Sequence, residues 1–255
     1  MTIQTNIGYF GKIPSKGDFV SRHLPNDFIQ PWDQWLQNSL TESQEQLGNQ
    51  WLDLYLTCPI WRFALCHGIC GDSAWIGIFI PSVDQVGRYF PLSFALPVTS
   101  RNALIQLAAK EEQWFSQLEK VALTTLDIDA NIDDLNVATD SISPPLSLMA
   151  SNPGDVCLEK QNLWRLPLTN TRAVGDSFST LLEQLLWQQL TNFSFWWSNG
   201  SEHVEPSALF CNQLPSPSAF TALLDGNWQR SGWDNNLARC VLDTPIAEHV
   251  AEHSS

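Results

Sequence analysis

Basic residues are scarce in this chain. It carries 13 Lys and Arg against 27 Asp and Glu, a formal net charge of −14. A protein that binds nucleic acid or anionic lipid neutralises phosphates with clustered Lys and Arg. The charge balance argues against both, and points to protein or small-molecule partners. Long apolar runs are also missing. The best one, Ala74 to Pro81, has the length of a strand, far short of the ~20 residues that a helix needs to cross a bilayer. No direct membrane insertion is expected. Residues 1–10 show no basic segment leading into an apolar stretch, so no secretory signal is expected either. The six cysteines, Cys58, Cys66, Cys70, Cys157, Cys211 and Cys240, are too sparse for a disulfide scaffold. A cytoplasmic, reduced setting follows as the expectation.

Apolar bulk is what the sequence has instead. Hydrophobic residues make up 44% and charged residues 16%, the reverse of the disorder signature. A chain of this length buries roughly 70–75% of the surface that its unfolded form exposes. One domain is expected over residues 1–243, with 139–154 as the stretch suited to an internal linker and 244–255 as a frayed tail. Tryptophan and phenylalanine, 12 and 13 residues against 3 Tyr, supply much apolar area per position. They read as aromatic core layers; the competing reading is aromatic anchors on a partner-facing surface.

Residues 6–25 are dense in Gly and Pro and read as a structured loop with at most a short strand. Trp32, Trp35, Leu36, Leu40 and Leu47 then recur at helical spacing up to Gly48, with Pro31 placed near the first turn. A short helical piece follows at 51–56. Runs at 61–66 and 74–80, separated by Gly68 to Asp72, read as a hairpin, and 88–96 as a third strand. Their apolarity is continuous rather than alternating, which calls for cover on both faces. One long helix is expected over 103–124 and a weaker acidic one over 129–138. Further along come a strand at 164–168, a helix at 173–190, strands at 193–197 and 208–211, and a helix at 218–224.

Several short motifs fail on inspection. Gly11-Lys12 invites comparison with a phosphate-binding loop, but Asn6 and Ile13 stand where that motif needs Gly and Ser or Thr. Cys66-His67-Gly68-Ile69-Cys70 has neither haem-attachment spacing nor a second zinc-ligand pair. No metal and no cofactor are expected. Ser82, Asp84 and His67 lie near one another in sequence and raise a serine hydrolase as an alternative, yet Pro81-Ser82-Val83 lacks the glycines of a nucleophile elbow. A small-molecule sensor with an aromatic-lined pocket is the other alternative.

Longer strings are more specific. Gly8-Tyr9-Phe10-Gly11-Lys12-Ile13-Pro14-Ser15-Lys16-Gly17-Asp18-Phe19-Val20-Ser21-Arg22, with Leu24-Pro25 and Trp32-Asp33-Gln34-Trp35-Leu36 after it, forms the first. Pro59-Ile60-Trp61-Arg62-Phe63 and Pro81-Ser82-Val83-Asp84-Gln85-Val86-Gly87-Arg88-Tyr89-Phe90-Pro91-Leu92 continue it. Weaker echoes come at Phe195-Trp196-Trp197-Ser198 and at 217–226. In these strings the chain resembles the TagF family of bacterial type VI secretion. The resemblance implies a non-enzymatic, cytoplasmic, post-translational repressor of secretion assembly that acts through the forkhead-associated scaffold protein of the apparatus. It implies an α/β fold, a three-layer α/β/α sandwich around a mixed, largely buried sheet. It supplies no catalytic residues, and it leaves a homo-oligomer open.

Within these strings two readings compete. Gly11, Gly17, Asp18, Asp84 and Gly87, with Arg88 as a bidentate donor, would form an internal network that pins the loop to the sheet. Phe10, Lys12, Lys16, Phe19, Arg22, Arg88 and Tyr89 would instead form a partner-binding patch. Charge is uneven: residues 1–100 hold 5 basic and 8 acidic side chains, and the remainder 8 and 19. The specific strings therefore sit in the nearly neutral part.

Overall fold

A computed structural model describes residues 6–98, 104–145 and 192–233, together with positions 179, 182, 183, 185 and 186. The expected strand at 164–168, most of the helix at 173–190, Cys157, Cys240 and the tail at 244–255 lie outside the described residues.

Strands Gly8–Gly11 (β1) and Val20–Arg22 (β2) are followed by helices Asn26–Leu47 (α1) and Trp51–Leu56 (α2). Strands Trp61–Leu65 (β3), Ala74–Ile80 (β4) and Leu92–Val98 (β5) come next, then helices Leu104–Lys110 (α3), Glu112–Thr124 (α4) and Ile132–Ser141 (α5). Phe193–Ser198 (β6), Ser207–Asn212 (β7) and helix Pro217–Asp225 (α6) complete the described elements. The strands form one open sheet in the order β2-β1-β5-β4-β3-β6-β7.

Every pairing among the described residues is antiparallel, which corrects the expected mixed sheet. The reason lies in the connections. Four of the six neighbouring pairs are consecutive in the chain, and their links are too short for the crossover that a parallel pair requires. The apolar pattern could not show the direction, since strands covered on both faces are apolar throughout whichever way they run.

Alternation along β3 shows that cover. Phe63 packs on Trp32 of α1 at 4.7 Å between ring centroids. Its neighbour Arg62 points to the other face, where it meets Glu112 and Glu119 of α4 and lies 5.3 Å from the Phe115 ring centroid. Opposite Phe63 stands Gly77, where a Cβ would come within 2.0 Å of the Phe94 carbonyl oxygen and 2.7 Å of the Phe63 ring. Only glycine fits between these strands.

Helix α1 buries Phe28, Trp32, Trp35, Leu36, Leu40 and Leu47 along one stripe and stops at Gly48, whose φ of 53° suits glycine. It starts at Asn26, so Pro31 falls inside it rather than in its first turn. The helix expected over 103–124 breaks at Glu111, whose ψ of 36° departs from helical geometry, and this starts α4 with Glu112 facing Arg62. The first residues of the expected linker, 139–141, close α5.

Most tryptophans among the described residues are core. Trp32, Trp35, Trp61 and Trp196 are buried, and each indole N–H has an acceptor: Ser93 Oγ, the Pro215 carbonyl, the Leu223 carbonyl and Ser194 Oγ. Trp197, on the opposite face from Trp196, is half-buried against Phe115 and Phe195.

Candidate protein-interaction site

Two loops meet at one end of the sheet, the β1–β2 loop (12–19) and the β4–β5 loop (81–91). The pairing of β1 with β5 brings them together. Backbone and side chains then join them. The Gln85 N–H donates to the Lys16 carbonyl at 3.0 Å, and the Ser82 hydroxyl donates to the Lys12 carbonyl at 2.7 Å. Tyr55 of α2, a residue that sequence reasoning did not single out, braces the second loop. Its hydroxyl donates to the Ser82 carbonyl at 2.8 Å and accepts from the Ser82 N–H at 3.0 Å.

Asp84 is the hub. One carboxylate oxygen accepts from Lys12 Nζ at 2.8 Å and Arg88 Nε at 2.6 Å. The other accepts from the Val86 N–H at 3.0 Å and the Arg88 N–H at 2.8 Å, closing the turn 84–88. Burial pushes the Asp84 carboxyl up, but hydrogen bonds from Lys12, from Arg88 and from the Val86 N–H outweigh it and hold the group well below the usual carboxylate range. Arg88 also donates to the Gly17 carbonyl, a fourth link between the two loops. Gly87 has the left-handed φ of 85° that the turn requires.

The proposed binding residues separate by position. Phe10 and Lys12 are buried, and Lys12 lies 5.1 Å from the Phe19 ring centroid. Tyr89 is half-buried against Trp51 and Tyr55. Arg22 faces away from this end, toward α5, where it pairs with both Asp140 oxygens at 2.9 and 3.0 Å. Lys16, Asp18, Phe19 and Arg88 are exposed. Phe19 stacks on Phe10 at 5.3 Å and meets Phe90 edge-on at 4.9 Å, yet is 46% exposed. Val86, at the tip of the second loop, is 68% exposed. The sequence signal for Val86 was an apolar residue inside the turn Asp84-Gln85-Val86-Gly87.

Gly11 and Gly17 differ sharply. A Cβ at Gly11 would sit 2.2 Å from the Pro91 carbonyl oxygen, with φ at 147°, whereas one at Gly17 would meet nothing within 4 Å. Asp18 forms no ion pair among the described residues.

The hydrolase alternative loses its geometry. Ser82 follows β4 while His67 lies in the hairpin at that strand's other end, so a seven-residue strand separates them by about 20 Å. The Ser82 hydroxyl is buried and bonded to backbone. The aromatic interior is packed ring on ring, with Trp32, Trp35 and Trp196 at centroid separations of 4.9, 5.3 and 6.0 Å.

The fold and this loop pair define an α/β protein with one antiparallel sheet, at one end of which Lys16, Asp18, Phe19, Val86 and Arg88 are exposed. Residues 8–142 match the family described as TagF N-terminal domain, type VI secretion system-associated, a span that includes both loops. The chain belongs to this family, and so to the proteins associated with type VI secretion. A crystal structure of PA0076 from Pseudomonas aeruginosa PAO1 is similar at 34% identity with a TM-score of 0.70, over 86% of this chain and 94% of that one. No curated protein is significantly similar in sequence. No helix among the described residues is long and apolar enough to cross a membrane.

Proposed function

We propose that the protein is a post-translational negative regulator of type VI secretion assembly. It acts in the cytoplasm, without catalysis, by binding the forkhead-associated scaffold protein of the apparatus through Lys16, Phe19, Val86 and Arg88. The observation that carries this reading is the contrast around Asp84. A buried hub takes four hydrogen bonds and fixes two loops, while Phe19 at the end of the first loop and Val86 in the turn of the second stay 46% and 68% exposed. A purely internal network needs no apolar residues held in water. Rigid loops with exposed apolar anchors and a basic rim lower the ordering cost of binding.

The same reading takes the architecture as a three-layer α/β/α sandwich. Its support is the opposite facing of Arg62 toward α4 and Phe63 toward α1. Overproduction in a strain with an active apparatus tests the function. Secretion should stop with the wild type and continue with the double variant Lys16→Glu/Val86→Asp. Unchanged secretion on overproduction of the wild type would contradict the proposal.

A further inference from the structure

The turn from α4 into α5 has a character opposite to the loop pair. Leu123, Leu126, Ile128 and Val137 are 52%, 41%, 63% and 70% exposed, four large apolar side chains within fifteen residues. Isolated exposed leucines are ordinary, and what sets this corner apart is that a lined cavity opens beside them. Carboxylates alternate with them. Asp127, Asp129, Asp133 and Asp134 are exposed, and none forms an ion pair among the described residues.

A cavity of about 330 Å³ opens here. Ile13, Leu135, Ala130 and Ala138 give it apolar walls, and Asp127, Asp129 and Asp134 line it as well. An apolar wall beside uncompensated carboxylates suits a side chain with a hydrocarbon stem and a cationic head, which is Lys or Arg.

Calcium fits less well. Asp127-x-Asp129-x-Asn131 has the spacing that opens a calcium loop, but Ile132 replaces its glycine and Ala138 its bidentate glutamate. Asn131 is already used as the cap of α5, accepting from the Asp133 N–H at 2.9 Å. No group of three potential metal ligands converges among the described residues. The exposed leucine and isoleucine side chains also have no role in holding a cation.

We propose that the α4–α5 corner is a second docking surface for a basic amphipathic segment of a partner protein. One Lys or Arg of that segment enters the cavity over Ile13 and Leu135, and its apolar residues cover Leu126 and Ile128. Charge complementarity selects this occupant: a second copy of the chain, though its loop pair carries Lys16 and Arg88, brings them with a net charge of −14 that opposes approach to an acidic corner.

The test uses a short capped peptide with Leu and Lys at amphipathic helical spacing, and its counterpart with Glu in place of Lys. Anisotropy of the labelled peptides at low salt reads binding to the full chain. The wild type should bind the Lys peptide and not the Glu peptide. Asp129→Asn/Asp134→Asn and Ile128→Ser should each bind it about tenfold more weakly, with unchanged melting. Glu45→Gln/Asp53→Asn, which removes two exposed carboxylates elsewhere, should bind like the wild type. Equal loss in that control would show that affinity follows net charge alone, and wild-type binding by Ile128→Ser would show a merely solvated acidic face. A calcium-induced rise in melting temperature that Asp129→Asn/Asp134→Asn abolishes would make the corner a cation site. Any of these three outcomes overturns the proposal.

Discussion

Lys12 Nζ lies 2.8 Å from Asp84 Oδ2, with both side chains withdrawn from water, so a buried ion pair ties the loop after β1 to the loop after β4. Removing a buried partner strands the other charge. Asp84→Ala should therefore destabilise by about 3–5 kcal/mol in urea unfolding, and Lys12→Met by less, because Asp84 keeps Arg88 and two backbone donors. The pH dependence has a definite sign. The folded Asp84 carboxyl lies below its unfolded value near 4, so its stabilisation is complete above that pH and is lost as pH falls further. Acid titration of stability should be steeper for the wild type than for Asp84→Asn.

Gly11 and Gly17 occupy one loop and should respond differently to alanine. Gly11→Ala places a methyl against the Pro91 carbonyl in a conformation that alanine avoids, at a cost of about 3 kcal/mol or more. Gly17→Ala meets open space and should stay within about 0.5 kcal/mol of the wild type. Melting curves of the two variants separate a steric need from sequence decoration.

Arg62 is 2% exposed in its side chain, while its partner Glu112 is 68% exposed. Arg62→Ala leaves a cavity beside Phe115 and strands Glu119, and should cost about 3–5 kcal/mol. Arg62→Met keeps the stem volume and lets Glu112 turn to solvent but strands Glu119 equally, so it should recover the cavity part of that loss. Equal denaturation midpoints for the two variants would contradict this account of the pair.

Ser82 has a structural task. Ser82→Ala removes the donor to the buried Lys12 carbonyl and should cost about 1–3 kcal/mol, and a fluorophosphonate probe should leave the wild type unlabelled. Labelling that disappears in Ser82→Ala would restore the hydrolase alternative.

Much of the fold is legible in the sequence because its elements are strongly patterned. The stripe Trp32, Trp35, Leu36, Leu40 and Leu47 and the glycine stop at 48 place α1. The apolar runs place β3 and β4. Strand direction was not legible, since burial on both faces erases the alternation that marks antiparallel sheets elsewhere. The break at Glu111 was hidden too, for no Gly or Pro marks it and its consequence is a contact with Arg62, 50 residues away. At the site, the residue types of the hub were readable from the loop strings. Which of them face water was not. Lys12 and Lys16 look alike in sequence, and only the position of Asp84 draws one inside and leaves the other out.

Capture of the forkhead-associated scaffold by the purified protein tests the central claim most directly. The measurement compares the wild type with Lys16→Glu/Val86→Asp, two exposed positions whose side chains leave the Asp84 hub intact, and accompanies it with melting curves. The account predicts capture by the wild type, loss of capture by the double variant, and equal melting temperatures. Capture by the double variant at the wild-type level, or no capture by a folded wild type, would contradict it.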